Sequence, residues 1–242
     1  MNAPLAEFLG TLILVLLGDG VVANVVLKQT KGHGGGWIVI TAGWACAVAV
    51  AVYATLAASG AHLNPAVTLG MASIGKFAWA SVPAFIGAQM AGAFTGAVLV
   101  WLAYLPHWRA TEDPDAKLAV FCTAPAIRHS TSNLVCEIIG TALLVLAVQA
   151  LLAPANLVPD SGFDKALAPA LVGLVVWAIG LSLGGPTGYA INPARDLGPR
   201  LAHFVLPIAG KGGCDWGYAW VPVAGPLIGG VIGAQVYQAL WG

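Results

Sequence analysis

Long apolar runs are what most restrict this chain. A helix rises 1.5 Å per residue, so about 20 apolar residues cross a hydrocarbon core of roughly 30 Å. Six runs are of about that length or longer: Leu5 to Leu27, Trp37 to Ala58, Phe77 to Tyr104, Asn133 to Ala153, Ala166 to Leu183 and Tyr218 to Trp241. The hydrocarbon offers no partner to an unpaired backbone group, so each run must be helical to satisfy its own N–H and C=O groups. The chain is therefore expected to be an all-α, multi-pass membrane protein.

Composition agrees and removes other classes. Of 242 residues 59% are hydrophobic and 8% charged, where soluble domains carry about 25% charged. The apolar content runs the whole length, and Met1 to Pro4 has no basic leader, so the start reads as part of the fold rather than as a cleaved signal. Ten Lys plus Arg against ten Asp plus Glu give no net charge, which excludes a basic nucleic-acid surface. Cys46, Cys122, Cys136 and Cys214 are widely spaced with no C-x-x-C, which argues against a metal site, a redox pair or a disulfide framework. Cys122 and Cys214 fall in loops and would pair only if those loops meet.

The chain repeats itself. Glu7-Phe-Leu-Gly10-Thr11 is echoed 130 residues later by Glu137-Ile-Ile-Gly140-Thr141. Ser59-Gly60-Ala61-His62-Leu63-Asn64-Pro65-Ala66 is echoed 128 residues later by Thr187-Gly188-Tyr189-Ala190-Ile191-Asn192-Pro193-Ala194. Gly92 and Gly96 have counterparts in Gly229 and Gly233, small-xxx-small pairs suited to close helix contact. The polar insert from Pro106 to Ser132 separates the halves, so the chain reads as one domain, 1–242, of repeats at about 1–105 and 133–242. Three spans per half is an odd number, so the second half enters the membrane from the opposite side and the repeat is inverted. Each half also carries a segment too short and interrupted to span, Ser59 to Lys76 and Gly184 to Leu206. Such matched, broken segments point to a functional site near the bilayer midplane.

Within Asn-Pro-Ala, Pro suits the first helical position and Asn the N-cap before it. Asn64 and Asn192 each begin a helix of two to three turns, long enough to reach one membrane face only. Irregular backbone at that depth must be buried or line a wet cavity, so Gly60, Ala61, His62 and Leu63, and Gly188, Ala190 and their neighbours, are expected to turn carbonyls toward a pore. The two helix N-termini meet head to head, each worth about half a positive charge, an arrangement hostile to cations and protons.

Two Asn-Pro-Ala motifs in an inverted six-span repeat, the second extended to Asn192-Pro193-Ala194-Arg195-Asp196, make the chain resemble the aquaporin family (major intrinsic proteins), and within it the aquaglyceroporins or glycerol facilitators. The match covers nearly the whole chain. It implies a bundle of six tilted helices and two re-entrant half-helices, one pore per protomer, a homotetramer in the cell membrane, and no cofactor, metal or catalysis. By position the family's selectivity constriction falls on Trp44, Gly180, Tyr189 and Arg195. An intramembrane Arg costs about 2.5 to 3.5 kcal/mol on insertion scales and is functional by default. Trp44 packs a polyol's carbon face in this resemblance, and Gly180 stands where water-selective relatives carry His. Tyr189 departs from the Phe often found there. Asp196, directly after the Arg, marks the glycerol-conducting subclass and is expected to brace the loop, as are Glu7 and Glu137.

Asp19, in Leu17-Gly18-Asp19-Gly20, reads equally as an interfacial cap or a pore-mouth charge. His62 is expected near the inner mouth. The resemblance places the amino terminus in the cytoplasm, yet Lys28, Lys31, Arg109, Lys117, Arg128 and Lys211 then lie outside against Lys76 and Lys165 within, the reverse of the positive-inside rule. The functional expectation is a passive channel for glycerol and other small uncharged solutes, with water. A water-selective pore is the near alternative and a secondary transporter the distant one, the latter lacking an ion-coupling cluster.

Overall fold

The computed structural model describes residues 1–153, 156–157 and 162–242, the side chains of 163 and 164 excepted. The helices are α1 (Ala3–Val26), α2 (Trp37–Ser59), α3 (Pro65–Ser73), α4 (Val82–Ala103), α5 (Leu105–Ala110), α6 (Pro114–Phe121), α7 (Ser130–Leu151), α8 (Phe163–Leu183), α9 (Pro193–Val205) and α10 (Val221–Trp241). Six of them, α1, α2, α4, α7, α8 and α10, are long and apolar enough to cross a membrane. No strand occurs among the described residues. The short helices α3 and α9 sit at matching places in the two halves, so the order α1 to α4 is repeated by α7 to α10.

Local chemistry sets the ends. The Asn2 side chain accepts from Leu5 N at 3.0 Å and opens α1. Gly60 closes α2 at φ 81°, a left-handed conformation in which a Cβ would be strained. Two spans start later than the apolar runs imply, and proline is the reason. The run from Phe77 first makes a single 3₁₀ turn, Trp79–Ser81, before Pro83 enters the first turn of α4. The run from Tyr218 is likewise a turn until Val221, with Pro222 in the first turn of α10. The polar insert is more ordered than its composition suggests, since it forms α5 and α6 and buries Trp108, Lys117 and Phe121.

The halves interlock. Within each, the first and third spans pack closely, α1 on α4 and α7 on α10. Glycines permit it: a Cβ at Gly92 or Gly96 would strike the carbonyls of Phe8 or Leu12, and at Gly229 or Gly233 those of Ile138 or Ala142. Each half-helix then lies against the third span of the other half, α3 on α10 and α9 on α4. Gly70 meets the Gly230 carbonyl and Gly198 meets Ala93 at these crossings. α2 and α8 close the bundle between the halves, which leaves a cavity where the two half-helices begin.

Candidate functional site: a cavity where two half-helices meet

The site is assembled from the backbone outward. Leading into α3, Gly60, Ala61 and Leu63 have positive φ; leading into α9, Gly188, Tyr189 and Ile191 do. For the non-glycine residues this is a strained state that persists only where surroundings enforce it. The enforcement is visible. Glu7, fully buried on α1, accepts from His62 N at 3.0 Å and Leu63 N at 2.7 Å, and Glu137 on α7 accepts from Ala190 N at 3.0 Å and Ile191 N at 2.9 Å. Ser59 Oγ adds a bond to Glu7 at 2.6 Å and Thr187 one to Glu137. The two halves thus carry the same carboxylate-to-loop contact at equivalent positions.

Both asparagines cap their half-helices and also join them. Asn64 Oδ1 accepts from Ala66 N at 2.9 Å while its Nδ2 donates to the Ile191 carbonyl at 2.8 Å. Asn192 Oδ1 accepts from Ala194 N at 3.0 Å while its Nδ2 donates to the Leu63 carbonyl at 2.8 Å. An amide NH₂ has two hydrogens, so each asparagine keeps one donor beyond the cross-link. Both side chains lie on the wall of a cavity of about 90 Å³. Pro65, Ala66, Pro193 and Ala194 are the buried first turns behind them.

Of the sequence-predicted residues, the same cavity wall holds Trp44, Tyr189, Arg195, Ala61, His62, Leu63 and Ala190. The Arg195 guanidinium stands over the Trp44 ring, 4.1 Å from its centroid, a cation–π geometry. Facing them are apolar side chains that the motifs did not single out, among them Val52, Leu144, Val148 and Val176. His62 hydrogen-bonds through Nδ1 with Thr68 Oγ1 at 3.1 Å and packs against Phe77 and Phe85.

Three of the residues expected to line the passage or its constriction stand off this wall. Gly60 is the pivot where the chain leaves α2 and Gly188 the pivot after the turn that follows α8, their N–H groups bonded to the Leu56 and Gly184 carbonyls. Gly180 lies behind Tyr189: a Cβ there would sit 2.9 Å from the Tyr189 ring and 3.0 Å from Thr41 Cγ2. Its contribution is room for the Tyr189 ring. That ring is also met edge-on by Trp37, whose indole donates to the Gly180 carbonyl at 3.0 Å.

Asp196 faces away from the cavity. Its Oδ2 accepts from Thr123 N and Oγ1 at 2.7 and 2.6 Å, and its Oδ1 accepts from Arg200 Nε and Nη2 at 2.9 and 2.8 Å. Arg200 in turn donates to the carbonyls of Thr123 and Cys214 at 3.0 and 2.7 Å. This fully buried pair clamps the loops at Thr123 and Cys214 onto α9. Arg200, Thr123, Trp37 and Gln89, whose Nε2 donates to Glu7 at 2.7 Å, were not identified from sequence, although the four-residue spacing of Asp196 and Arg200 on one helix face was a usable signal. The loops of Cys122 and Cys214 do meet, through Arg200, but both thiols are free and buried, and burial pushes both above the ordinary thiol range.

Comparison with known proteins follows the same lines. Residues 1–237 match the family described as Major intrinsic protein. The chain is similar to a probable glycerol uptake facilitator protein of Thermotoga maritima, 61% identical over the full length of both chains. It is also similar to the glycerol uptake facilitator protein of Bacillus subtilis, 52% identical over 99% of this chain and 85% of that one. Among solved structures it is similar to the aquaglyceroporin of Plasmodium falciparum, with a TM-score of 0.86 at 32% identity over 98% of this chain and 95% of that one. With its six spans, two half-helices and inverted repeat, this integral membrane protein belongs to the Major intrinsic protein family.

Proposed function

We propose that the chain is a passive channel for glycerol and other small uncharged polyols, that it also passes water, and that it excludes ions and protons. The observation that carries this reading is the shared wall of Trp44, Tyr189 and Arg195 above Asn64 and Asn192. A linear polyol has a carbon face and a hydroxyl face. Aromatic rings and the apolar wall suit the first; the Arg195 donors, the spare asparagine N–H groups and loop carbonyls suit the second. Relatives named as glycerol uptake facilitators across the whole chain support the same solute.

In this reading Trp44, Gly180, Tyr189 and Arg195 form the selectivity constriction, with Gly180 acting through the position of Tyr189. The abutting N-termini of α3 and α9 place two positive helix ends and two amide donors at one point, which repels cations and breaks a proton-conducting water chain. Glu7, Glu137 and Asp196 hold the loops. Their oxygens are occupied by the hydrogen bonds described above, which leaves them no acid or base chemistry, so the reading is non-enzymatic. The whole chain acts as one channel unit, with its termini cytoplasmic in the cell membrane. Exposed apolar side chains along the spans, such as Leu9, Val50, Ile139 and Leu174, serve lipid and the neighbouring copies of a homotetramer.

Stopped-flow light scattering of proteoliposomes tests the proposal. Rapid reswelling in a glycerol gradient with a weak temperature dependence is the expected result. Fast water efflux without reswelling would support the water-selective alternative, and saturable, ion-dependent uptake the transporter.

A further inference from the structure

Where α4 ends, a second cavity of about 420 Å³ lies apart from the channel wall. Its sides come from three elements: Trp101 on α4, Leu105, Pro106, Trp108 and Arg109 on α5, and Pro207 in the segment after α9. Each side is fixed from behind. The Trp108 indole donates to the Trp101 carbonyl at 2.9 Å and stacks on Phe121 with 5.5 Å between ring centroids. Lys117 holds the carbonyl of Ala209, which also borders the groove. Lys28 N donates to Thr111 Oγ1 at 2.9 Å and ties the end of α5 to that of α1. The groove is therefore formed before anything enters it.

Its lining is apolar or aromatic apart from Arg109. The Arg109 side chain is exposed and makes no hydrogen bond or ion pair among the described residues, Glu112, Asp113 and Asp115 of the same loop included. Lys117, Lys211 and Arg128 on that face are by contrast engaged in closing loops. Leu102, Leu105, Phe204 and Val205 flank the groove and are exposed, and the span α4 ends at Ala103. This is the depth at which hydrocarbon gives way to headgroups, where tryptophan and basic side chains anchor a membrane protein.

We propose that this groove binds one anionic phospholipid of the adjoining leaflet, its phosphate paired with Arg109 and an acyl chain lying along Trp101, Leu105 and Pro207. An unpaired guanidinium beside a preformed apolar groove is complementary to a molecule with a negative headgroup and a hydrocarbon tail, and guanidinium and phosphate match in geometry as well as charge. The bound lipid touches α4, α5 and the segment after α9, so it fastens the loops of that face to the bundle.

The test titrates the purified protein with phosphatidylglycerol or phosphatidylcholine and counts bound lipids by native mass spectrometry. Wild type is expected to prefer phosphatidylglycerol. Arg109→Gln is expected to weaken phosphatidylglycerol about fivefold, the scale of one basic side chain at an anionic surface, and to leave phosphatidylcholine unchanged, while Arg109→Lys recovers most of the loss. Ala209→Leu, which fills the groove and keeps the charge, and independently Leu105→Gln, which makes its wall polar, are expected to weaken both lipids. Lys31→Gln removes an exposed cation outside the groove and is expected to bind as wild type does. Wild-type binding by Arg109→Gln, or by both groove variants, overturns the proposal. So does an equal loss in Lys31→Gln, which marks diffuse surface charge, or displacement of the lipid by equimolar inorganic phosphate, which marks a plain anion site.

Discussion

Tyr189 carries a hydroxyl that is buried and lacks a hydrogen-bond partner among the described residues. Such a group costs about 1 to 3 kcal/mol. Tyr189→Phe is therefore expected to unfold at an equal or higher temperature and to retain glycerol flux, as measured by thermal unfolding in detergent and by reswelling. Gly180→His acts in the opposite direction. With 2.9 Å between a Cβ at 180 and the Tyr189 ring, the ring must move and an imidazole must enter its space, so glycerol flux should fall more than water flux. Equal losses of both would contradict the assignment of Gly180 to the constriction. At Glu137 each oxygen receives a backbone N–H, and an amide keeps only one of the two acceptors. Glu137→Gln is expected to lose about 1 to 3 kcal/mol of stability, with the glycerol-to-water ratio of the folded fraction unchanged.

At the level of elements, the inverted repeat is held by contacts that tolerate no added atoms. Gly229 packs α10 onto α7 by admitting the Ile138 carbonyl, and Gly92 does the same for α4 on α1. A leucine at either position forces the two helices apart, so both variants should fail to yield folded protein on size-exclusion chromatography, whereas leucine at Gly87, which has nothing near its Cβ position, should be accepted. The half-helix α9 depends on the Asp196–Arg200 pair, which is fully buried. Removing one partner of such a pair costs about 3 to 5 kcal/mol because the other is left uncompensated. Arg200→Ala should accordingly lower the unfolding temperature and open the loops at Thr123 and Cys214 to protease, with a larger effect than loss of the exposed Arg128–Asp215 pair.

Across the whole molecule, most of the loop cations lie on the face opposite the termini, and the structure shows what several of them do. Lys117 is buried and donates to the Ala209 carbonyl, Lys211 donates to the carbonyls of His203, Phe204 and Leu206 where α9 ends, and Arg128 pairs with Asp215. These charges close loops and cap the end of a half-helix, so their location follows from folding. The same closure hides Cys122 and Cys214, which are 2% and 7% exposed and have thiols raised by burial. Maleimide should label them slowly at neutral pH in the folded protein and rapidly once it is denatured.

Much of this was determined by sequence alone because it rests on local or periodic chemistry. Run length set the number of spans, the odd count per half set the inversion, and Asn-Pro set where each half-helix starts. Trp44, Tyr189 and Arg195 were readable through the family resemblance carried by those motifs. What remained illegible depends on partners distant in sequence. Whether Asp196 meets Arg195 or Arg200, whether Gly180 lines the cavity or stands behind Tyr189, and that Asn64 and Asn192 cross-link through the Ile191 and Leu63 carbonyls are all settled only when residues more than a hundred positions apart are brought together or when a side chain's direction is set by its neighbours. Asp19 is the clearest instance: its sequence left a cap and a mouth charge equally open, and its full burial within α1 was decided by packing.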